Sequence, residues 1–87
     1  MKNRTSGIEV EIIKNRESVN HLIAYKLAFA REQANMTQKE LSEKTGIYQA
    51  DISKFERGIG NPSVLTLKRL AEGMGMDLHI EFVEKEE

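Results

Sequence analysis

The chain has 87 residues, with 13 Lys and Arg against 14 Asp and Glu for a formal net charge of −1, and no cysteine. That length holds one domain with a core near the lower limit for independent stability, so extra burial through dimerisation would help it. A disulfide framework and a thiolate metal site are excluded. No apolar run reaches a membrane-spanning length and the first residues lack the apolar core of a signal peptide, so a cytoplasmic protein with no membrane partner is expected.

Residues 1–7 are polar. Ile8 to Lys14 then alternates apolar and acidic residues, the period of a half-buried strand, although a helical turn or an arm that orders on a partner fits as well. Asn15 to Glu17 read as a loop and Ser18 as an N-cap. The first helix is expected from Ser18 to Ala34, with Val19, Ile23, Leu27, Ala30 and Ala34 as its core stripe. A second stripe, Leu22, Tyr25 and Phe29, implies a second neighbour. Either the N-terminal arm folds back over it or it is a surface for another protein.

Thr37 to Gly58 reads as two short helices joined by a tight turn, and the rest of the chain is organised around it. Thr37 and Glu40 have the spacing of a capping box. Leu41 is the inward residue of the first of these helices, and Gly46 makes the turn because glycine takes positive φ without steric cost. Ile47 follows as a buried plug. The next helix is expected over Gln49 to Arg57, with Ile52, Phe55 and Glu56 on one face and Gln49, Ala50, Ser53 and Lys54 on the other. Such a pair cannot bury its own apolar face, so the flanking segments must cover it.

Ile59 to Pro62 is a loop. Ser63 can cap a further helix, Val64 to about Gly73, with Leu65, Leu67, Leu70, Ala71 and Met74 as its apolar positions. Gly73 and Gly75 are stop signals. Leu78 to Val83 alternates again, with Leu78, Ile80 and Phe82 on one side, and reads as a strand whose partner edge is either Ile8 to Lys14 or the same strand of a second copy. The division that follows is an arm over residues 1–17, a helix–turn–helix domain over 18–76, and a C-terminal strand with an acidic tail over 77–87 that serves dimerisation.

Charge is unevenly distributed. From Lys26 to Arg69 eight bases face five acids, whereas from Leu70 onward one lysine faces six acids. The field around the paired helices is therefore positive, although charge alone does not separate DNA binding from ordinary scatter of solvated side chains. An enzyme is not expected. His21 and His79 are far apart, and neither has a carboxylate and nucleophile in catalytic spacing. Gly58 to Gly60 follows a helix, so it is not a dinucleotide loop. No cofactor is implied.

Arg31, Met36 to Gln38, Glu40, Leu41, Gly46, Gln49, Ile52, Ser53, Phe55 to Gly58, Asn61, Pro62, Leu67, Leu70 and Ala71 together resemble the Xre (Cro/cI-type) helix–turn–helix family over roughly Ile23 to Met76. The resemblance implies an all-α, lambda-repressor-like bundle of four or five helices, here with a short C-terminal β-strand. It also implies dimeric binding to a palindromic operator on double-stranded DNA, with the Gln49 helix in the major groove. Gln49 is then the base reader, suited to an adenine edge, with Lys54 one turn along. Ala50, where the family often has a polar reader, offers only a methyl contact. Gln38, Tyr48, Ser53, Arg57, Asn61 and Lys68 are the implied phosphate contacts. Asp51 would repel phosphate unless it accepts from a cytosine amine, and a solvated or capping role is favoured for it. Arg31 and Glu56 match an internal ion pair. Tyr48 departs from the family's Ser or Thr at the N-cap of the recognition helix.

The flanks resemble HigA-type antitoxins and are similar to HipB-type antitoxins, whose terminal strands pair across a dimer. That likeness implies autorepression and neutralisation of a small basic RelE- or HigB-like toxin. Leu22, Tyr25 and Phe29 are the expected toxin contact, and Leu78, Ile80 and Phe82 the expected dimer contact. The alternative is a stand-alone Xre-family regulator, of phage or host origin, with no toxin.

Overall fold

The computed structural model describes Ile13, Asn15 and residues 17–86, and among these it contains four helices and no strand. They are α1 (Glu17–Gln33), α2 (Gln38–Thr45), α3 (Gln49–Glu56) and α4 (Val64–Gly73). The architecture is an all-α helix–turn–helix bundle. α3 packs against both α1 and α2, and α4 packs against α2.

α1 begins at Glu17, so Ser18 lies in its first turn and is not its cap. A difference of one residue is the usual uncertainty of a helix end. The core line of α1 is also displaced. Ala24 and Leu27 are its buried residues, while Val19, Ile23, Ala30 and Ala34 are half-buried. Ala24, Leu27 and Arg31 stand at i, i+3 and i+7 along one side, the line that carries Arg31 to α3. The apolar residues of α1 occupy several adjacent lines, and periodicity alone does not say which is central. α1 ends in a Schellman turn. Asn35 has φ 57°, and the N–H groups of Asn35 and Met36 donate to Glu32 O at 3.0 Å and Arg31 O at 3.2 Å.

The capping box of α2 is complete. Thr37 Oγ1 accepts from Glu40 N at 3.0 Å and Glu40 Oε1 accepts from Thr37 N at 2.8 Å. Gly46 ends α2 at φ 78°. α3 stops at Glu56, with Arg57 as its cap, and Tyr48 makes no side-chain capping bond. Ser63 Oγ caps α4 by accepting from Thr66 N at 3.0 Å.

Leu41, Ile52 and Leu70 are the fully buried centre, one from each of α2, α3 and α4. Leu27 and Ile47 complete the cluster, with Met36, Phe55, Leu67 and Met74 packed around it. Burial of each central side chain contributes about 1.5–3 kcal/mol. Leu65 is not part of this core, being exposed with Val64 at the start of α4. α4 ends at Gly73, as expected, and this glycine also serves packing. A Cβ there would overlap Thr45 Cγ2 and press on Leu41 Cδ1, so glycine is what lets α4 approach α2. Gly75, at φ 73°, makes the turn.

The expected strand from Leu78 to Val83 does not form in the single chain. Residues 76–86 have no helix and no ladder. A strand needs a neighbouring edge to satisfy its backbone, and none lies beside it among the described residues. The candidate edge, Ile8 to Lys14, falls outside them except for Ile13.

Candidate nucleic-acid interface

The recognition element is held from three sides. Its first anchor is the carboxylate of Glu56, the last residue of α3. Oε2 accepts from Arg31 Nε at 2.7 Å, and Oε1 accepts from Arg31 Nη2 and from Gln38 Nε2, each at 3.0 Å. Arg31 Nη1 donates to Met36 O at 2.8 Å. The side chains of Arg31 and Glu56 are 15% and 7% exposed. One carboxylate therefore joins α1, the start of α2 and the end of α3. Burial pushes the Glu56 carboxyl up, but the hydrogen bonds from Arg31 and Gln38 and the charge of Arg31 outweigh it and hold the group below its ordinary value. The same hydrogen bond raises the Arg31 guanidinium.

The second anchor is the turn between α2 and α3. Ser42 Oγ donates to Ile47 O at 2.6 Å. Thr45 Oγ1 donates to Leu41 O at 2.8 Å and accepts from Ile47 N at 3.2 Å. The third is Arg69 of α4, whose Nη2 donates to Thr45 O at 2.7 Å and so caps the C-terminal end of α2. These bonds set the entry into α3 where a Ser or Thr cap is missing. Tyr48, which occupies that position, is 78% exposed.

Gln49, Ala50, Lys54 and Arg57 are exposed on the side of α3 away from Ile52 and Glu56, and Ser53 and Asp51 are half-buried. Arg57 Nε donates to Ser53 O at 3.3 Å. Asn61 is exposed in the loop that follows. Lys68 lies on α4, its ammonium 2.6 Å from Glu72 Oε2 in an exposed i, i+4 pair. Thus Gln49, Ala50, Lys54 and Tyr48 gather at one helix, whereas Gln38 is turned toward Glu56 and Lys68 toward Glu72.

Sequence reasoning missed Arg69, Ser42 and Thr45. The signal for the two hydroxyls was present: a Ser and a Thr in the last turns before a glycine can bond local backbone groups. Nothing local marks Arg69, because its acceptor lies 24 residues away.

Away from this surface, Tyr25 and Phe29 stack at a centroid distance of 6.3 Å and 17°. Both are exposed, while Leu22 beside them is half-buried. Among the described residues no helix is long and apolar enough to cross a membrane.

The helix-turn-helix family pattern matches residues 27–80. An uncharacterized HTH-type transcriptional regulator of Sinorhizobium fredii is 37% identical over 62 residues, covering 71% of this chain and 79% of its own length. One of Haemophilus influenzae is 31% identical over 77 residues, 88% of this chain and 67% of the relative. Antitoxin HipB of Escherichia coli is 34% identical over 56 residues, 64% of this chain but 60% of HipB. No solved structure gives a significant match. The matched span holds the Glu56 network, the clamped turn and the outward face of α3, and the chain belongs to the helix-turn-helix family of the Xre type, a family of DNA-binding regulators.

Proposed function

We propose that the protein is a sequence-specific repressor that binds a palindromic operator as a dimer, with α3 in the major groove. The observation that carries this is the outward side of α3, where Gln49, Ala50 and Lys54 are exposed on a helix fixed from behind by Ile52 and Glu56. In this reading Gln49 pairs with an adenine edge, Ala50 touches a thymine methyl, and Lys54 reaches a guanine or a phosphate. Tyr48, Ser53, Arg57 and Asn61 contact the backbone. Gln38 uses one amide hydrogen on Glu56 and has a second for a phosphate. Lys68 exchanges Glu72 for a phosphate, since an exposed pair of this kind adds little stability. Residues 1–17 serve as an arm, 18–76 as the DNA-binding domain and 77–87 as the dimer element. Selection from a randomised duplex pool tests it: recovery of a two-fold symmetric site supports the reading, and recovery of no preferred sequence refutes it.

The repressor is further read as the antitoxin of a type II pair. The likeness to HipB supports this, as does the exposed Tyr25–Phe29 stack beside Leu22. Exposed aromatic patches mark partner sites and supply binding anchors, here for a small basic RelE- or HigB-like toxin. The rival is a regulator without a toxin, favoured by the regulator names of the other relatives. A Tyr25→Ala, Phe29→Ala double variant distinguishes the stack's roles. Loss of toxin neutralisation with operator binding and melting temperature intact supports the contact. A large fall in melting temperature assigns the stack to the core and removes it as a partner site.

A further inference from the structure

His21, in the second turn of α1, lies against the loop that follows α3. A Cβ built on Gly58 would stand 3.8 Å from His21 Nδ1 and 3.9 Å from Asn20 O, so this part of α1 rests on the backbone of the loop. Gly58, at φ 78°, closes α3. Its N–H donates to Phe55 O at 3.1 Å, and that of Ile59 donates to Lys54 O at 2.9 Å. The His21 side chain is exposed and makes no hydrogen bond or ion pair among the described residues.

The loop beside it is rich in donors and poor in acceptors. The N–H groups of Gly60 and Asn61 make no hydrogen bond among the described residues. Arg57 and Asn61 are exposed. Between Asp51 and Glu72 the sole acid in the sequence is Glu56, and Arg31 and Gln38 already engage it. One edge of the molecule therefore brings an imidazole, a guanidinium, a side-chain amide and two backbone N–H groups together. Those are the donors that hold a DNA backbone.

We propose that His21, in its protonated form, contacts an operator phosphate from α1, beside the phosphate contacts of Arg57 and Asn61. The inference rests on the placement of α3 in the major groove. With that helix in the groove, the loop at its end lies along the sugar-phosphate wall, and the part of α1 that rests on the loop lies there with it. Protonation and binding then favour each other. The carboxyl end of α3 favours a cation at this place, whereas the amino end of α1 opposes it. On α1, Glu17 and Tyr25 are the titratable residues at i−4 and i+4 of His21, and Arg57 is the charged residue next to Gly58. A phosphate beside Arg57 turns an unfavourable position for a second cation into a favourable one.

The test measures affinity for a duplex selected from the randomised pool, over a range of salt, at about pH 6 and about pH 8.5, where histidine is mostly charged and mostly neutral. The parent is expected to bind more tightly at the lower pH. There His21→Ala should lose about tenfold, two contacts per dimer at the strength of exposed ion pairs. At the higher pH it should lose less than about twofold, because the charge is then absent from the parent as well. At the lower pH its plot of log K against log salt should be shallower by about 1.8, at roughly 0.9 per phosphate. An unrelated duplex should lose the same factor, since phosphate contacts carry no sequence information. His21→Lys, with its charge fixed, should bind tightly at both pH values. Melting of both variants is followed in parallel, and a fall that accounts for the weaker binding would make His21 a packing residue and overturn the contact. Equal affinity of parent and His21→Ala at the lower pH, or a pH dependence unchanged in His21→Ala, would overturn it and leave the operator reading standing. A parent that prefers no duplex would overturn both.

Discussion

Replacing Glu56 with Gln keeps the shape of the side chain and removes the charge at the junction of three helices. The amide retains one oxygen, which can still accept from Arg31 Nη2 and Gln38 Nε2, but its nitrogen then faces Arg31 Nε, donor against donor. Removing one partner of a buried ion pair typically costs about 3–5 kcal/mol. Arg31 keeps its bond to Met36 O and some solvent contact, which places this substitution at the low end, about 3 kcal/mol. Total stability for a domain of this size is roughly 4–13 kcal/mol, so the loss is a large share of it. In thermal melting it corresponds to a fall of about 12–24 °C, at roughly 4–8 °C per kcal/mol. The effect depends on pH. The folded carboxyl titrates below its unfolded value, so its stabilisation is present above the unfolded value, about 4.3, and is lost as pH falls through the folded one. The gap between the parent and Glu56→Gln should therefore be full at neutral pH and narrow in acid. Urea unfolding at neutral and acid pH measures both. Replacing both partners, Arg31→Met with Glu56→Leu, should recover most of the loss, because no uncompensated charge remains. A Glu56→Gln variant within about 0.5 kcal/mol of the parent at neutral pH, the scale of an ordinary surface change, would refute the assignment of this pair as a structural anchor.

Gln49→Ala should weaken operator binding by about 1–3 kcal/mol and relax preference at one base pair per half-site, read by binding to a randomised operator at fixed salt. Gln38→Ala should weaken binding to all sequences alike and also cost about 1 kcal/mol of stability through the lost bond to Glu56. Tyr48→Ser should supply the missing cap and raise stability by about 1 kcal/mol; a melting temperature that does not rise would show the clamped turn already does that work. Gly73→Ala should destabilise by about 1–3 kcal/mol, since the methyl must displace Thr45. Truncation after Met76 should give a largely monomeric protein in sedimentation with poor operator binding, and a tight dimer would send the interface elsewhere, to α4.

The parts of the fold legible in the sequence are those whose cause is local. Thr37 with Glu40, Gly46 and Ser63 mark helix ends because each acts on backbone groups within a few residues. Leu41, Ile52 and Leu70 stand out because each is the inward residue of a short amphipathic helix. α1 is less legible for the opposite reason. With apolar residues on several adjacent lines, its orientation is set by the partner helix, and the position of Ala24 in the core follows from where Arg31 must reach. Gly73 marks the end of α4 locally, but its small size also serves the contact with Thr45 on another helix. Leu78 to Val83 has the pattern of a strand and no edge within the described chain to complete it. Arg69 carries no local mark at all. On the candidate surface, exposure of Gln49, Ala50 and Lys54 follows from the period of α3, while the engagement of Gln38 with Glu56 needed the tertiary structure.

The bonds that fix α3 come from residues outside its outward side. Arg31 and Gln38 hold its end through Glu56, and Ser42, Thr45 and Arg69 hold the turn before its start. A two-turn helix has little stability of its own, so its position depends on these clamps more than on the side chains it presents. Changes at Gln49, Ala50 or Lys54 should therefore alter sequence preference while leaving stability within about 0.5 kcal/mol. Changes at Arg31, Arg69 or Glu56 should reduce stability and binding together. Tyr48 stands outside this division. The hydroxyls and Arg69 hold the turn but bond none of the first N–H groups of α3, so the cap position stays unfilled and the Tyr48 side chain is exposed beside that helix.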